Sequence, residues 1–110
     1  MRSTARLDRT LAALADPHRR GVVELLRQGP LKASEIASAM GLSPPAMSRH
    51  LRVLRQSGVV EESHPRFDAR LRIYRLKPAP MRELRSWLEE TERLWAEQLS
   101  AFKAHIESGR

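Results

Sequence analysis

Gly41-Leu42-Ser43-Pro44 is a helix stop followed at once by a helix start. Glycine takes the left-handed conformation that often ends a helix. Serine accepts from the free N–H groups of a new first turn, and proline at the first helical position gives up an N–H that would have no partner. Before this break Ile36, Ala37 and Met40 repeat at helical spacing and predict a helix over 33–40. After it Met47, Leu51 and Leu54 predict a helix over 44–57, closed by Gly58. Two short amphipathic helices joined by a tight glycine-containing turn are the layout of a helix-turn-helix.

The flanking segments support this pair. Leu7, Leu11 and Leu14 share one face of a helix expected over 4–15. Asp16-Pro17 then caps a second helix carrying Val22, Val23, Leu25 and Leu26, which stops near Gln28 before Gly29-Pro30. Lys32 is a weak cap for the third helix. From Val59 the pattern changes to two extended stretches, 59–64 and 70–77, around a Pro65–Ala69 hairpin loop. Tyr74 and Leu76 are assigned inward, although apolar residues occupy both faces. Pro78 and Pro80 are read as ending the second strand. A last helix over 81–107 carries Leu84, Leu88, Thr91, Trp95, Leu99, Phe102 and Ile106 on one stripe, which Trp87 and Leu94 widen. The expected fold is mainly α with a β-hairpin wing, a winged helix-turn-helix in the order α-α-α-α-β-β-α. It forms a single domain over 1–110, with room for little more.

Charge narrows the partner. The chain carries +7, and residues 1–80 hold fifteen Lys/Arg against seven Asp/Glu while residues 81–110 hold five against six. A basic module followed by a near-neutral helix favours a polyanion such as nucleic acid. The absence of cysteine excludes disulfides, thiolate metal sites and cysteine nucleophiles. No apolar run approaches the ~20 residues of a membrane span, so no membrane partner is expected. Met1-Arg2-Ser3-Thr4 leads into no apolar leader region, and a cytoplasmic location is the default expectation.

Three stretches resemble the ArsR/SmtB family of winged-helix repressors: Ala15-Asp16-Pro17-His18-Arg19-Arg20, Leu42 to Leu54, and Ser57-Gly58-Val59-Val60, with Arg72-Ile73-Tyr74-Arg75-Leu76 in support. The resemblance covers most of the chain. It implies a homodimer whose fourth helix enters the major groove of double-stranded DNA while the hairpin touches neighbouring backbone. It places Ser43, Pro45, Ser48 and Arg49 at groove-facing positions. The residues agree with this. With Met47, Leu51 and Leu54 inward, Ser48, Arg49 and Arg52 project elsewhere, and arginine can bond guanine O6 and N7 together. Pro44 and Pro45 stand where polar residues are common in the family, so Pro45 is left to contact a thymine methyl. Arg66, Arg70 and Arg72 are assigned to the wing tip, as phosphate contacts or as charges guarding an edge strand. Arg19 and Arg20 fit a phosphate or a pairing with Glu24.

Metal ligands of the kinds known in the family are missing. Lys32 and Ser34 occupy the cysteine positions of the third helix, and the last helix carries only His105. His18, His50 and His64 have no ligand spacing in sequence. No metal, cofactor or effector is assigned. No phosphate loop, nucleophile elbow or zinc-protease motif occurs, and Glu89, Glu90 and Glu92 read as a solvated helix face, so no enzyme is expected. Leu7, Leu11, Leu14, Leu88, Trp95, Leu99 and Phe102 exceed what one small core covers and are assigned to a dimer interface. The expected function is a sequence-specific, homodimeric DNA-binding repressor acting on an inverted-repeat operator. The alternatives are a non-specific architectural DNA-binding protein and a winged-helix module that binds protein.

Overall fold

The computed structural model describes residues 2–109; Met1, where the leader was sought, and Arg110, the last residue of the expected domain, lie outside them. The element order is α1 (Arg2–Leu14), α2 (Pro17–Leu26), β1 (Leu31–Lys32), α3 (Ala33–Met40), α4 (Pro44–Gln56), β2 (Val60–Ser63), β3 (Ile73–Leu76) and α5 (Pro78–Ser108). The winged helix-turn-helix expectation holds, with one strand more than the sequence suggested.

That strand is β1. The antiparallel sheet runs β1-β3-β2, with Leu31 opposite Tyr74 and Val60 opposite Leu76. Two residues cannot show a period-two pattern, so β1 exists only because β3 offers it an edge. The hairpin strands are shorter than expected, and the loop between them runs from His64 to Arg72. Tyr74 is buried and Leu76 packs against the core, so the inward assignment was correct.

The caps behave as their chemistry dictates. The Asp16 carboxylate accepts from His18 N–H at 2.8 Å and Arg19 N–H at 3.2 Å. Ser43 Oγ accepts from Ala46 N–H at 3.3 Å. The Lys32 side chain has no acceptor to offer α3. Instead the Glu35 carboxylate reaches back to Lys32 N–H at 2.8 Å, the reciprocal half of a capping box. Gly41 takes φ 65 at the turn, in the left-handed region that glycine occupies without a Cβ penalty. Pro78 and Pro80 do not merely end the strand. They lie in the first turn of α5, where a missing N–H costs nothing.

The core gathers Val22 and Leu26 of α2, Ile36 and Ala37 of α3, Met47, Leu51 and Leu54 of α4, and Val59, Val60 and Tyr74 of the wing. From α1 it takes Ala13, with Thr10 buried beside it. The leucine stripe of α1 therefore faces elsewhere. Leu11 is exposed and Leu7 and Leu14 are half-buried, and Leu7 borders an open groove with Ala79 and Trp87 of α5. Beyond its first two turns α5 leaves the body, and every described residue from Arg85 onward is exposed. The molecule is 72 Å along its longest axis against 29 and 22 Å across.

Candidate nucleic-acid interface

Helix α4 presents three surfaces. At about 100° per residue, buried Met47, Leu51 and Leu54 set the inner face, Pro45, Arg49 and Arg52 lie opposite, and Ser48 and His50 fall on the two flanks. The outer residues are exposed, and among the described residues neither Arg49 nor Arg52 has a hydrogen bond or ion pair. Their guanidinium donors are free for an incoming acceptor. Ser43 spends its hydroxyl on the helix cap. The helix N-terminus beside it keeps the N–H groups and positive dipole end that suit a phosphate.

The flank at Ser48 is tied to the wing. Arg72 donates to Ser48 Oγ at 3.2 Å and to Tyr74 Oη at 3.3 Å, with its guanidinium carbon 5.9 Å from the Tyr74 ring centre. Tyr74 in turn donates to Glu62, which also accepts from Arg55 at 2.9 Å and lies 3.8 Å from Arg72. One chain of contacts thus runs from the C-terminal turn of α4, through both wing strands, back to the middle of α4. The bond from Tyr74, helped by the charges of Arg55, His64 and Arg72, holds the Glu62 carboxyl below the ordinary glutamate range although desolvation opposes it. Burial, with Glu62 in support, pushes the Tyr74 phenol up to about 12.

Arg72 therefore lies where the loop meets β3, not at the loop's tip, with two of its N–H donors engaged on Tyr74 and Ser48. The tip belongs to Arg66 and Arg70. Arg66 is exposed and, among the described residues, without a partner; Arg70 is almost fully exposed and leans on Asp68 at 3.5 Å. Phe67 between them is 84% exposed, an apolar side chain at the tip of the loop. Between wing and helices lies a cavity of about 320 Å³ lined by Lys32, Ser34, Pro44, Ser48, Arg70 and Arg72 among others.

Among the described residues neither Arg19 nor Arg20 pairs with Glu24, and both reach backbone carbonyls instead. Arg19 Nε donates to Ala13 O at 2.6 Å, and Arg20 Nη1 donates to Leu14 O at 2.9 Å and Ala15 O at 3.1 Å. Both cap the carbonyl end of α1, where a cation also meets the negative end of the helix dipole. Sequence reasoning also missed the meeting of Asp16, His18 and His50. The His50 ring lies 5.3 Å from that of His18, with Nδ1 4.0 Å from Asp16 Oδ1. Residues 32 apart give no local signal of this; only the packing of α2 on α4 does.

Comparison with known proteins places this geometry. The model of the family described as bacterial regulatory protein, arsR family, matches residues 16–62. The HTH-type transcriptional regulator Rv2034 of Mycobacterium tuberculosis is 37% identical over 101 residues, 92% of this chain and 89% of that protein. The transcriptional repressor SdpR of Bacillus subtilis is 34% identical over 56 residues, 51% of this chain and 62% of its own. Among solved structures, an ArsR-like transcriptional regulator from Rhodococcus sp. RHA1 superposes with a TM-score of 0.79 at 28% identity, covering 94% of this chain and 95% of that one.

Proposed function

The chain belongs to the ArsR family of bacterial regulatory proteins, and we propose that it is a homodimeric repressor that reads an inverted-repeat operator and catalyses no reaction. The observation that carries this reading is the outer face of α4, where Arg49 and Arg52 stand exposed with no partner among the described residues. Arg49 is assigned to base edges, with Pro45 and Ser48 beside it. Arg52 and the α4 N-terminus at Ser43 serve base or phosphate. Arg66 and Arg70 clamp phosphate from the wing, and Arg72 adds a contact through the donors that Ser48 and Tyr74 leave free. Repression is the role named for SdpR, and a regulator of this kind acts in the cytoplasm, beside bacterial DNA.

Dimerisation follows from what a single chain leaves uncovered. Leu88, Trp95, Leu99 and Phe102 are 52, 59, 47 and 61% exposed, and Leu11 is 38% exposed. Monomers rarely carry apolar area on this scale. A second copy across a two-fold axis covers both α5 stripes and the outer face of α1, and so sets the separation of the two α4 helices. On this reading residues 1–110 form one DNA-binding unit whose terminal helices pair.

The test is selection of genomic fragments by the purified protein, followed by footprinting. An inverted repeat with half-sites ~10 base pairs apart, or a multiple of that, is expected. Arg49→Ala should relax base preference at a cost of ~1–3 kcal/mol, whereas Arg66→Ala should weaken all sequences alike. A ratio of specific to random affinity near one would point to an architectural protein, and failure to bind any duplex at low salt to a protein-binding module.

A further inference from the structure

We infer that Asp16, His18 and His50 form a binding site for a divalent first-row transition metal ion where the start of α2 crosses α4. No metal was assigned from the sequence, because these residues have no ligand spacing along the chain. Folding brings them together: each offers a donor atom, and the three donors lie within 4.8 Å of one another. Two imidazoles and a carboxylate are the donor set that suits zinc, nickel, cobalt or copper, and poorly suits magnesium or calcium.

The geometry needs little adjustment. Metal–nitrogen and metal–oxygen bonds of about 2.0–2.2 Å put the donors of a tetrahedral ion roughly 3.4 Å apart. His50 Nδ1 and Asp16 Oδ1 are already at 4.0 Å. Asp16 is held in place by its two bonds to the first turn of α2, both taken by Oδ1, so Oδ2 keeps free lone pairs with the Arg19 guanidinium 4.0 Å away. His50 is half-buried on a rigid helix, while exposed His18 can swing to close the remaining gap. Among the described residues neither ring has a hydrogen bond; the rings face each other, and His50 Nδ1 faces Asp16. Three protein donors leave a fourth position to water. The other two histidines lack such company. His64 bonds Leu71 O beside Glu62, and His105 lies on the exposed end of α5.

An ion here ties the first turn of α2 to the flank of α4 opposite Ser48. The inference does not rest on the DNA-binding reading, and its test needs no DNA. Untagged, chelator-treated protein is titrated with Co²⁺, reading the visible d–d absorption and the stoichiometry, and then with Zn²⁺ in competition. One Co²⁺ per chain, displaced by Zn²⁺ and unaffected by excess Mg²⁺, is expected. His18→Ala, at an exposed position, should keep the helical circular dichroism and weaken binding by at least about tenfold, the loss that even an outer-shell change can bring. His105→Ala should leave binding unchanged. Absence of stoichiometric binding at high micromolar Co²⁺, or binding lost in His105→Ala or His64→Ala but kept in His18→Ala, would overturn the assignment.

Discussion

Glu62→Gln tests whether the wing is held to α4 by charge. The wild-type carboxylate accepts from Tyr74 and from Arg55 and faces Arg72 at 3.8 Å, with only 14% of its side chain exposed. Glutamine keeps the shape and can still accept one bond from Tyr74, so the loss is the charge rather than the packing. A bond to a charged acceptor contributes about 1.5–3 kcal/mol against about 0.5–1.5 for a neutral one. The two arginine pairs, at 45% and 39% side-chain exposure on the arginine side, add a few tenths each after solvent screening. The expected destabilisation at neutral pH is therefore about 1–2 kcal/mol. The pH dependence gives a second reading. A carboxyl held below its ordinary range contributes stability that is present above about pH 4.3 and is lost as pH falls through its folded value. Urea titrations at a series of acid and neutral pH values, at equal protein concentration, should show a shallower acid loss in Glu62→Gln than in wild type. A neutral-pH midpoint indistinguishable from wild type, or an identical acid limb, would refute the argument.

Further outcomes are expected. Tyr74→Phe should remove the wild-type loss of stability that begins above about pH 10 and runs to the folded value near 12, checked by alkaline unfolding in both proteins. Gly41→Ala should destabilise by about 1–2 kcal/mol, the cost of placing a Cβ in the left-handed region, measured by urea denaturation. Trp95→Ala should lower self-association far more than it perturbs the single-chain fold, since Trp95 is 59% exposed within one chain. Sedimentation of wild type, Trp95→Ala and a chain ending before Met81 checks this, and a monomeric wild type that still binds a palindromic duplex tightly would sink the dimer assignment. Arg66→Ala should reduce the dependence of DNA affinity on salt by about one phosphate contact, read as the slope of log K against log salt.

The helices were legible because each carries its own signals. Asp16-Pro17 and Ser43-Pro44 announce starts that the observed caps confirm, and the spacing of Met47, Leu51 and Leu54 gave the buried face of α4. Periodicity gave the stripe of α1 but not which neighbouring face the core takes. Leu7, Leu11 and Leu14 form a sound stripe, while the core takes Thr10 and Ala13 from the next face and leaves Leu11 exposed and Leu7 and Leu14 half-buried. Arg72 lies in a basic stretch beside the hairpin, so sequence grouped it with Arg66 and Arg70. The buried Tyr74–Glu62 pair instead draws it inward to Ser48.

What the sequence determined by itself is thus local: helix starts and stops, the inner face of each motif helix, the basic outer face of α4 and the lack of thiols. Each depends on neighbours within about four residues, through a cap, a dihedral preference or one turn of periodicity. Tertiary structure alone decided which distant side chains meet. It paired Leu31 with β3 to make a third strand, joined Arg72 to Ser48 across 24 residues, spent Arg19 and Arg20 on the carbonyls of α1, and set His50 beside Asp16 and His18. Such contacts depend on the packing of whole elements, whose relative placement leaves no periodic trace along the chain.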